Sequence, residues 1–255
     1  MRGLKGKVAA ITGGGSGIGE AATRRLAEEG CKVAIIDRNE AAAKRVARSL
    51  VRRGVKAIAI AGDVGVEAQV KSAFKTVIKE FGRLDILCSN AGVYIADRDA
   101  KIESLDAAAW DDIIRTNFTG MFLACKYGIR AIKATAKKGS VVLTGSPTGM
   151  LGLTPTSTAY SSSKGGVHGL MRIIACDYAL DGIRINAVIP GFTITPIVED
   201  LVKDKAWLEM TTRMIPMKRG GLPSEIAAGI AFLASDDASY VTGSFLMVDG
   251  GITAM

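Results

Sequence analysis

Short apolar segments alternate with longer stretches of helical periodicity along most of this 255-residue chain. The apolar residues in the short segments run continuously, which indicates strands that are covered on both faces of a parallel sheet. The predicted strands cover residues 8–12, 32–37, 56–61, 84–90, 140–144, 184–189 and 244–248. The predicted helices cover residues 17–29, 40–53, 67–81, 106–136, 159–180 and 223–235.

Repeated strand–helix–strand units build a sheet with helices on both of its faces. No linker, charge block or low-complexity segment divides the chain. We therefore predict an α/β fold in one domain, residues 1–255, with a doubly wound, mostly parallel, seven-stranded sheet.

The alternation stops at residues 192–222, where no strand pattern appears. Trp207, Met210, Met214 and Met217 are spread through this segment. So long a connection inside a compact domain is usually functional and often forms a lid. We predict a substrate lid here, and a packed excursion without function is the alternative.

The composition is that of an ordinary globular protein, with 48% hydrophobic residues and 30 glycines, which argues against disorder and a fibrous fold. The net charge of +8 would attract an anionic ligand. The densest basic cluster lies on a predicted amphipathic helix without interleaved aromatic residues, which favours a solvated helix face over a nucleic-acid site. This cluster comprises Lys44, Arg45, Arg48, Arg52 and Arg53, opposite an apolar stripe of Ala43, Val46, Ala47, Leu50 and Val51.

The four cysteines are far apart and form neither a zinc motif nor a disulfide framework. Each lies among apolar residues, which predicts reduced, buried thiols and an intracellular compartment. No apolar run approaches the length that spans a membrane. We expect a cytoplasmic protein that binds neither nucleic acid nor membranes and holds no metal. The cysteines are Cys31, Cys88, Cys125 and Cys176.

A glycine-rich loop joins the first predicted strand to the first predicted helix. Its glycines follow the spacing Gly-x-x-x-Gly-x-Gly, not Gly-x-Gly-x-x-Gly. Glycines let the backbone approach a pyrophosphate, whose charge the free N–H groups of a helix start can bind. For Gly14 and Gly15 a plain turn is an equal interpretation. The predicted dinucleotide contacts are Gly13, Ser16, Gly17, Ile18 and Gly19.

Asp37 ends the second predicted strand, 24 residues after Gly13, near the spacing expected for a ribose-binding acid. A carboxylate there accepts hydrogen bonds from a 2′-hydroxyl and repels a 2′-phosphate, which favours NAD over NADP. The alternative role is an N-cap of the next helix. The neighbouring Arg38 could instead hold a 2′-phosphate, so NADP is the second possibility.

Further candidates follow the third and fourth predicted strands, because open parallel sheets bind ligands at the carboxyl ends of their strands. They could also be turn residues. These candidates are Asp63, Val64, Asn90, Ala91 and Gly92.

Tyr160 and Lys164 lie four residues apart in a stretch of helical spacing, so they share a helix face. A phenol has a pKa of about 10, but a neighbouring ammonium stabilises its phenolate. Tyr160 can therefore act as a general acid and base. In isolation such a pair is more typical of a helix surface, and the dinucleotide pattern upstream is what favours the chemical role.

Together these motifs resemble the short-chain dehydrogenase/reductase family in its compact single-domain form, over essentially the whole chain. The family's order is matched by Thr12–Gly19, Asn90-Ala91-Gly92, Asn117, Ser146, Tyr160-x-x-x-Lys164, Pro190-Gly191 and Asp249-Gly250-Gly251. The resemblance implies a Rossmann fold and a nicotinamide cofactor. It also implies a homotetramer built partly from the helices at 106–136 and 159–180.

The resemblance further implies four catalytic residues. Tyr160 would pass a proton to or from the substrate oxygen, and Lys164 would lower the pKa of Tyr160 and bind the nicotinamide ribose. Ser146 would donate a hydrogen bond to the carbonyl oxygen. Asn117 would hold a water that links Lys164 to solvent, unless it is a buried helical Asn bonded locally. The implied cofactor contacts are Tyr160, Lys164, Pro190, Gly191, Thr193 and Thr195, although Thr195 would also suit a helix cap.

Ser146 departs from the family's spacing, since it lies 14 residues before Tyr160 instead of thirteen. An extra residue in the loop at 147–159 is therefore expected, and Ser157, Ser161 and Ser163 are alternatives to Ser146. His168, the single histidine, lies too far along the helix to join Tyr160, so we expect packing or surface. A lone histidine also argues against a Ser–His hydrolase or a His-rich metal site.

We predict an NAD-dependent oxidoreductase that interconverts a secondary alcohol and a ketone on a small or medium substrate. An NADP-dependent carbonyl reductase is the alternative within the family. A dinucleotide-binding regulator is disfavoured by the four intact polar residues, and a sugar-nucleotide epimerase or dehydratase would need a longer carboxyl-terminal domain. Residues expected to shape the pocket are Tyr94, Arg98, Lys101 and the segments 150–159 and 192–222.

Overall fold

One sheet of seven strands forms the centre of the protein, whose computed structural model describes residues 1–198 and 203–255. The strand order is β3-β2-β1-β4-β5-β6-β7, and every neighbouring pair is parallel. The doubly wound sheet is thus confirmed, and it is parallel throughout the described residues. The strands are β1 (Val8–Thr12), β2 (Lys32–Asp37), β3 (Ala57–Ala61), β4 (Ile86–Ser89), β5 (Gly139–Thr144), β6 (Ile183–Pro190) and β7 (Phe245–Val248).

Helices cover both faces of this sheet and create a hydrophobic core on each. Residues of α1, α2 and α8 belong to one core, and residues of α3, α5 and α6 belong to the other. Along β1, Val8 and Ala10 point into one core whereas Ala9 and Ile11 point into the other, which explains the continuous apolarity of the strand. The helices are α1 (Gly17–Glu28), α2 (Glu40–Val51), α3 (Glu67–Phe81), α4 (Ala107–Ile114), α5 (Gly120–Thr135), α6 (Thr158–Asp177), α7 (Lys205–Arg213) and α8 (Pro223–Ala234).

The single helix predicted at 106–136 is in fact two α-helices joined by a π-helical turn, Arg115–Thr119. The turn contains the fully buried Asn117, whose side chain bonds to the backbone of Val93 beyond β4. Gly120 follows directly and lies against Val64, where a Cβ would approach the Val64 side chain to 2.6 Å. Apolar spacing does not reveal the wider turn, because its cause is contact with distant residues.

The segment 192–222 contains an unpredicted helix, α7, and an isolated parallel bridge between Thr193 and Gly221. Asp204 is the N-cap of α7, and its carboxylate accepts hydrogen bonds from the N–H groups of Ala206 and Trp207. Part of the predicted lid, residues 199–202, lies outside the described residues. Movement of the segment as a lid stays a prediction.

Two smaller expectations need correction. Cys176 is exposed, although the other three cysteines are buried and all four are free thiols. Val51 is exposed at the end of α2, not part of the helix's buried stripe. Within residues 1–198 and 203–255, no helix is long and apolar enough to span a bilayer, and no cluster of three metal-ligating side chains occurs.

Candidate active site

A cleft of about 1250 Å³ lies at the carboxyl ends of the strands. In the sheet, β2 lies on one side of β1 and β4 lies on the other. The connections that follow β1 and β4 therefore run in opposite directions from this edge of the sheet, which leaves a crevice between them. Every predicted site residue lines this cleft except Gly19 and Asn117. The glycine loop and the Tyr160–Lys164 pair, which are 141 residues apart from Gly19 to Tyr160, therefore share one site.

The glycine loop closely approaches the backbone of the segment that follows β4. A Cβ on Gly13, which has a φ of +66°, would lie 2.8 Å from the Cα of Ala91. A Cβ on Gly19 would collide with the Gly13 carbonyl, so Gly19 allows α1 to pack on the loop and does not line the cleft. The Ser16 side chain caps no N–H of α1. Free donors at this helix start suit an anionic pyrophosphate.

The Asp37 carboxylate is fixed by two backbone donors at one end of the cleft. Its Oδ2 accepts from Gly15 N–H at 2.9 Å and its Oδ1 accepts from Asn39 N–H at 2.9 Å. Asn39, not Asp37, is the N-cap of α2, since its Oδ1 accepts from Ala42 N–H. The capping alternative for Asp37 is therefore wrong. Arg38 is exposed beside it and makes no hydrogen bond or ion pair within the described chain.

Asn90 and Asp63 line the cleft while their side chains hold neighbouring segments. The Asn90 Oδ1 accepts from Thr144 Oγ1 at 3.1 Å, and the Asn90 N–H donates to Thr12 Oγ1 at 3.0 Å. Asn90 thereby connects the ends of β1, β4 and β5. The Asp63 carboxylate accepts from the N–H of Gly65 and from the guanidinium of Arg115.

The chain beyond β6 closes the opposite side of the glycine loop. A Cβ on Gly17 would lie 3.5 Å from Thr195 Cβ, so these two segments face each other across a narrow gap. Gly191 lies against Asp249, where a Cβ would come within 2.7 Å of the Asp249 Cα. The Thr193 hydroxyl donates to the Gly191 carbonyl at 2.9 Å and fixes this turn.

Tyr160 stands in the first turn of α6, and Lys164 follows one turn later. Lys164 Nζ lies 5.7 Å from the Tyr160 ring centroid and donates to the Thr144 carbonyl at 3.0 Å. Burial lowers the pKa of Lys164 to about 8. Burial also raises the pKa of Tyr160, and a hydrogen bond with Ser146 opposes that rise, so the direction is opposite to the lowering by Lys164 that the resemblance implies. The Tyr94 ring meets the Tyr160 ring edge-on at 5.1 Å.

Ser146 is the serine that meets the Tyr160 phenol, despite the longer spacing between the two residues. Its Oγ also lies 3.0 Å from Thr148 Oγ1. Two of the alternative serines are engaged elsewhere. Ser157 Oγ pairs with Tyr94 Oη at 3.1 Å, and Ser163 Oγ donates to the Tyr160 carbonyl at 2.6 Å.

His168 is buried beneath the Ser146 turn, as the packing expectation for this residue requires. Its Nε2 accepts from the Ser146 N–H at 3.4 Å. Burial lowers the pKa of His168 to about 4, with further lowering by the charges of Lys164 and Arg172. The neutral imidazole thus supports the backbone of Ser146 without entering the cleft.

Asn117 is not bonded locally within its helix but to residues of two other segments. Its Oδ1 accepts from Val93 N–H at 2.7 Å, and its Nδ2 donates to the Val93 carbonyl at 2.9 Å and to Ser163 Oγ at 3.2 Å. Asn117 therefore fixes the segment after β4 against α6. The water-mediated role stays a prediction.

Asp99 was not identified from the sequence, yet it caps the helix that carries Tyr160. Its carboxylate is 6% exposed and accepts from the N–H groups of Ala159 at 3.0 Å and Tyr160 at 2.9 Å. Ser157, at the N-cap position, supplies no side-chain cap. The two partners lie about 60 residues from Asp99, so no local pattern could have revealed the bond.

The residues expected to shape the pocket divide into two groups. Tyr94, Arg98 and Leu153 line the cleft, whereas Lys101 and Met150 do not. The segment 192–222 contributes its aromatic and thioether side chains. These are Phe192, Trp207, Met210 and Met214.

Known proteins resemble this chain over nearly its whole length. A family model described as enoyl-(acyl carrier protein) reductase matches residues 13–253. The cis-4-hydroxycyclohexanecarboxylate dehydrogenase of Sinomonas cyclohexanicum is 43% identical over 249 residues, 98% of this chain and 97% of the relative. The glucose 1-dehydrogenase of Gluconobacter oxydans is 39% identical, over 97% of this chain and 92% of the relative.

A solved structure gives the same result for the fold. The 3-ketoacyl-(acyl-carrier-protein) reductase from Brucella melitensis, complexed with NADH, superposes with a TM-score of 0.87 at 34% sequence identity. The match covers 98% of this chain and 99% of that protein.

Proposed function

The chain belongs to the short-chain dehydrogenase/reductase family, and from this premise we propose that it is an NAD-dependent dehydrogenase interconverting a secondary alcohol and a ketone. Its relatives are dehydrogenases, so oxidoreductase activity on CH–OH groups follows directly. One observation carries the finer proposal. A single cleft holds Asp37 and the glycine loop at one end and Ser146 and Tyr160 at the other.

The residues of the cleft fit a nicotinamide dinucleotide. The uncapped N–H groups at the start of α1 are donors for its pyrophosphate, and the fixed Asp37 carboxylate is an acceptor for a ribose 2′-hydroxyl. Thr193 and Thr195, with Pro190 and Gly191, line the cleft and would hold the nicotinamide end. Bound NAD supplies the acceptor for the hydride that leaves the carbinol carbon.

Tyr160 removes the hydroxyl proton as the alcohol is oxidised, and returns it to the carbonyl oxygen in the reverse direction. The raised pKa keeps its phenol protonated at neutral pH, which suits proton donation to a ketone, whereas oxidation of the alcohol first requires the phenol to lose this proton. Ser146 donates a hydrogen bond to the substrate oxygen, where negative charge develops. Lys164, whose Nζ lies 5.7 Å from the centroid of the Tyr160 ring, would hydrogen-bond the ribose of the cofactor.

Substitution of Tyr160 by Phe tests this proposal. Tyr160→Phe removes the proton donor, so we expect kcat to fall at least about 100-fold. NADH affinity, measured by fluorescence titration, should stay within about twofold, since the change removes one oxygen among many contacts. Tyr178→Phe is the matched control, because Tyr178 is the C-cap residue of α6 and lies outside the cleft. An unchanged rate in Tyr160→Phe would contradict the mechanism.

We also propose a cytoplasmic homotetramer. Four free cysteines are compatible with a reducing compartment. Phe122 on α5 and Ile173 on α6 are 45% and 57% exposed, and such apolar side chains on two helix surfaces favour contact between subunits.

A further inference from the structure

Helix α7 turns its apolar side toward the cleft instead of toward a core. Trp207, Met210, Thr211 and Met214 line the cleft and follow the spacing of one helix face. No residue of α7 is buried, and Met210 and Met214 are 61% and 51% exposed. Large apolar surface left open inside a cleft is stabilised when an apolar ligand covers it.

Apolar groups also form the walls next to α7 and Tyr160. The Phe192 ring meets the Trp207 ring edge-on at 5.5 Å, and Leu153 and Ile215 line the same cleft. The Tyr94 ring packs edge-on against Tyr160. The reacting phenol, which bonds to the Ser146 hydroxyl, therefore shares its cleft with hydrocarbon, aromatic and thioether surface.

The charged groups around this surface, and the hydroxyl of Thr148, already have partners within the protein. The Arg98 guanidinium pairs with Asp112 at 3.0 Å, and Thr148 Oγ1 lies 3.0 Å from Ser146 Oγ. Among the described residues that line the cleft, Arg38 is the one charged side chain without a hydrogen bond or ion pair. It lies at the Asp37 end, away from Tyr160.

We propose that the substrate is an uncharged secondary alcohol with an apolar carbon skeleton, of which an unsubstituted alicyclic ring is the simplest form. This inference rests on the proposed function. A carboxylate would find the Arg98 guanidinium already paired with Asp112, and against the apolar walls it would be desolvated without a partner. A polyol would leave hydroxyl groups facing thioethers and indole, where they lose hydrogen bonds to water.

Steady-state kinetics with NAD test the proposal. We expect kcat/KM for cyclohexanol to exceed that for cis-4-hydroxycyclohexanecarboxylate and for glucose at least about tenfold. Met210→Gln and Met214→Gln keep the side-chain length but add an amide, so each should raise KM for cyclohexanol more than it changes kcat. Met217→Gln is the matched control, since Met217 is 60% exposed but outside the cleft. A higher kcat/KM for the carboxylate or for glucose overturns the proposal.

Binding without turnover separates this inference from the proposed function. In a Trp110→Phe background, Trp207 is the remaining tryptophan and reports on the cleft by fluorescence. With NAD present, cyclohexanol should change this fluorescence saturably, and glucose should not. Saturable binding of cyclohexanol without NADH formation would reject the proposed function alone. Tighter binding of glucose or the carboxylate would reject the substrate class alone.

Discussion

Asp37 is held by two N–H groups, so its carboxylate cannot turn away from a ligand without losing both bonds. We expect NADH to bind more tightly than NADPH. Asp37→Ala removes the repulsion of a 2′-phosphate and leaves the unpaired Arg38 to bind it, so the NADPH/NADH affinity ratio should rise at least about tenfold. Fluorescence titration of both cofactors measures the ratio.

Arg38 provides the control for that change. Adding Arg38→Ala to Asp37→Ala should remove the gain in NADPH affinity while leaving NADH affinity nearly constant. Tighter binding of NADPH by the unaltered protein would reverse the assignment of the cofactor.

His168 makes a separate prediction about stability and pH. Its folded-state pKa of about 4 lies below the ordinary value of 6.5. Between these values the unfolded chain binds a proton that the folded protein does not, so stability is lost as the pH falls from 6.5 toward 4. In His168→Gln, the free energy of unfolding should fall by about 1–2 kcal/mol less between pH 6.5 and pH 5 than it does in the unaltered protein. Urea unfolding at a series of pH values measures it, and identical profiles would contradict the assignment.

At the level of elements, the first turn of α6 depends on Asp99. Asp99→Ala leaves the N–H groups of Ala159 and Tyr160 without an acceptor, which should lower the free energy of unfolding by about 1–3 kcal/mol. Because Tyr160 lies in this turn, kcat should fall more than KM rises, with NADH affinity retained. Steady-state kinetics measure kcat and KM, denaturant unfolding measures the free energy of unfolding, and titration measures the affinity for NADH.

Two further variants test whether Asp99 acts through the position of Tyr160. Asp99→Asn keeps one acceptor oxygen and should give an intermediate kcat. Asp97→Ala alters an exposed carboxylate of the same loop and should change neither kcat nor stability. A loss of stability without a change in kcat would assign Asp99 a purely structural role.

Elements that bury apolar residues in a core were predictable from sequence, because the spacing of their apolar residues follows the side of the element that is buried. The predicted bounds of β1, β2 and α3 equal the observed ones. Helix α7 was missed because its apolar face lies against the cleft, and the π-helical turn was missed because distant contacts determine it. Asp99 was missed for the same reason, since its hydrogen-bond partners lie on another element. Tyr160 and Lys164 were identified because a spacing of four residues places both on one helix face.

At the level of the whole molecule, the exposed apolar residues of α5 and α6 predict an assembly. Sedimentation equilibrium should give a mass four times that of the 26.7 kDa chain. Ile173→Lys places a charge in the proposed contact and should lower that mass. Ile102→Lys changes a 73% exposed residue outside both helices and should leave it unaltered. A monomer in the unaltered protein would exclude the assembly.

The strand order also determines which segments of the chain supply each part of the cleft. The glycine loop, Asp37, Asp63 and Asn90 come from the turns after β1 to β4, whereas most of the apolar walls come from segments after β5 and β6 that lie outside the sheet. Mutations in those outer segments can change the accepted alcohol without disturbing the dinucleotide end or the cores. Such a scaffold can acquire new substrates by exchange of its peripheral segments. Two relatives near 40% identity, one named for a ring acid and one for a sugar, are consistent with this kind of divergence.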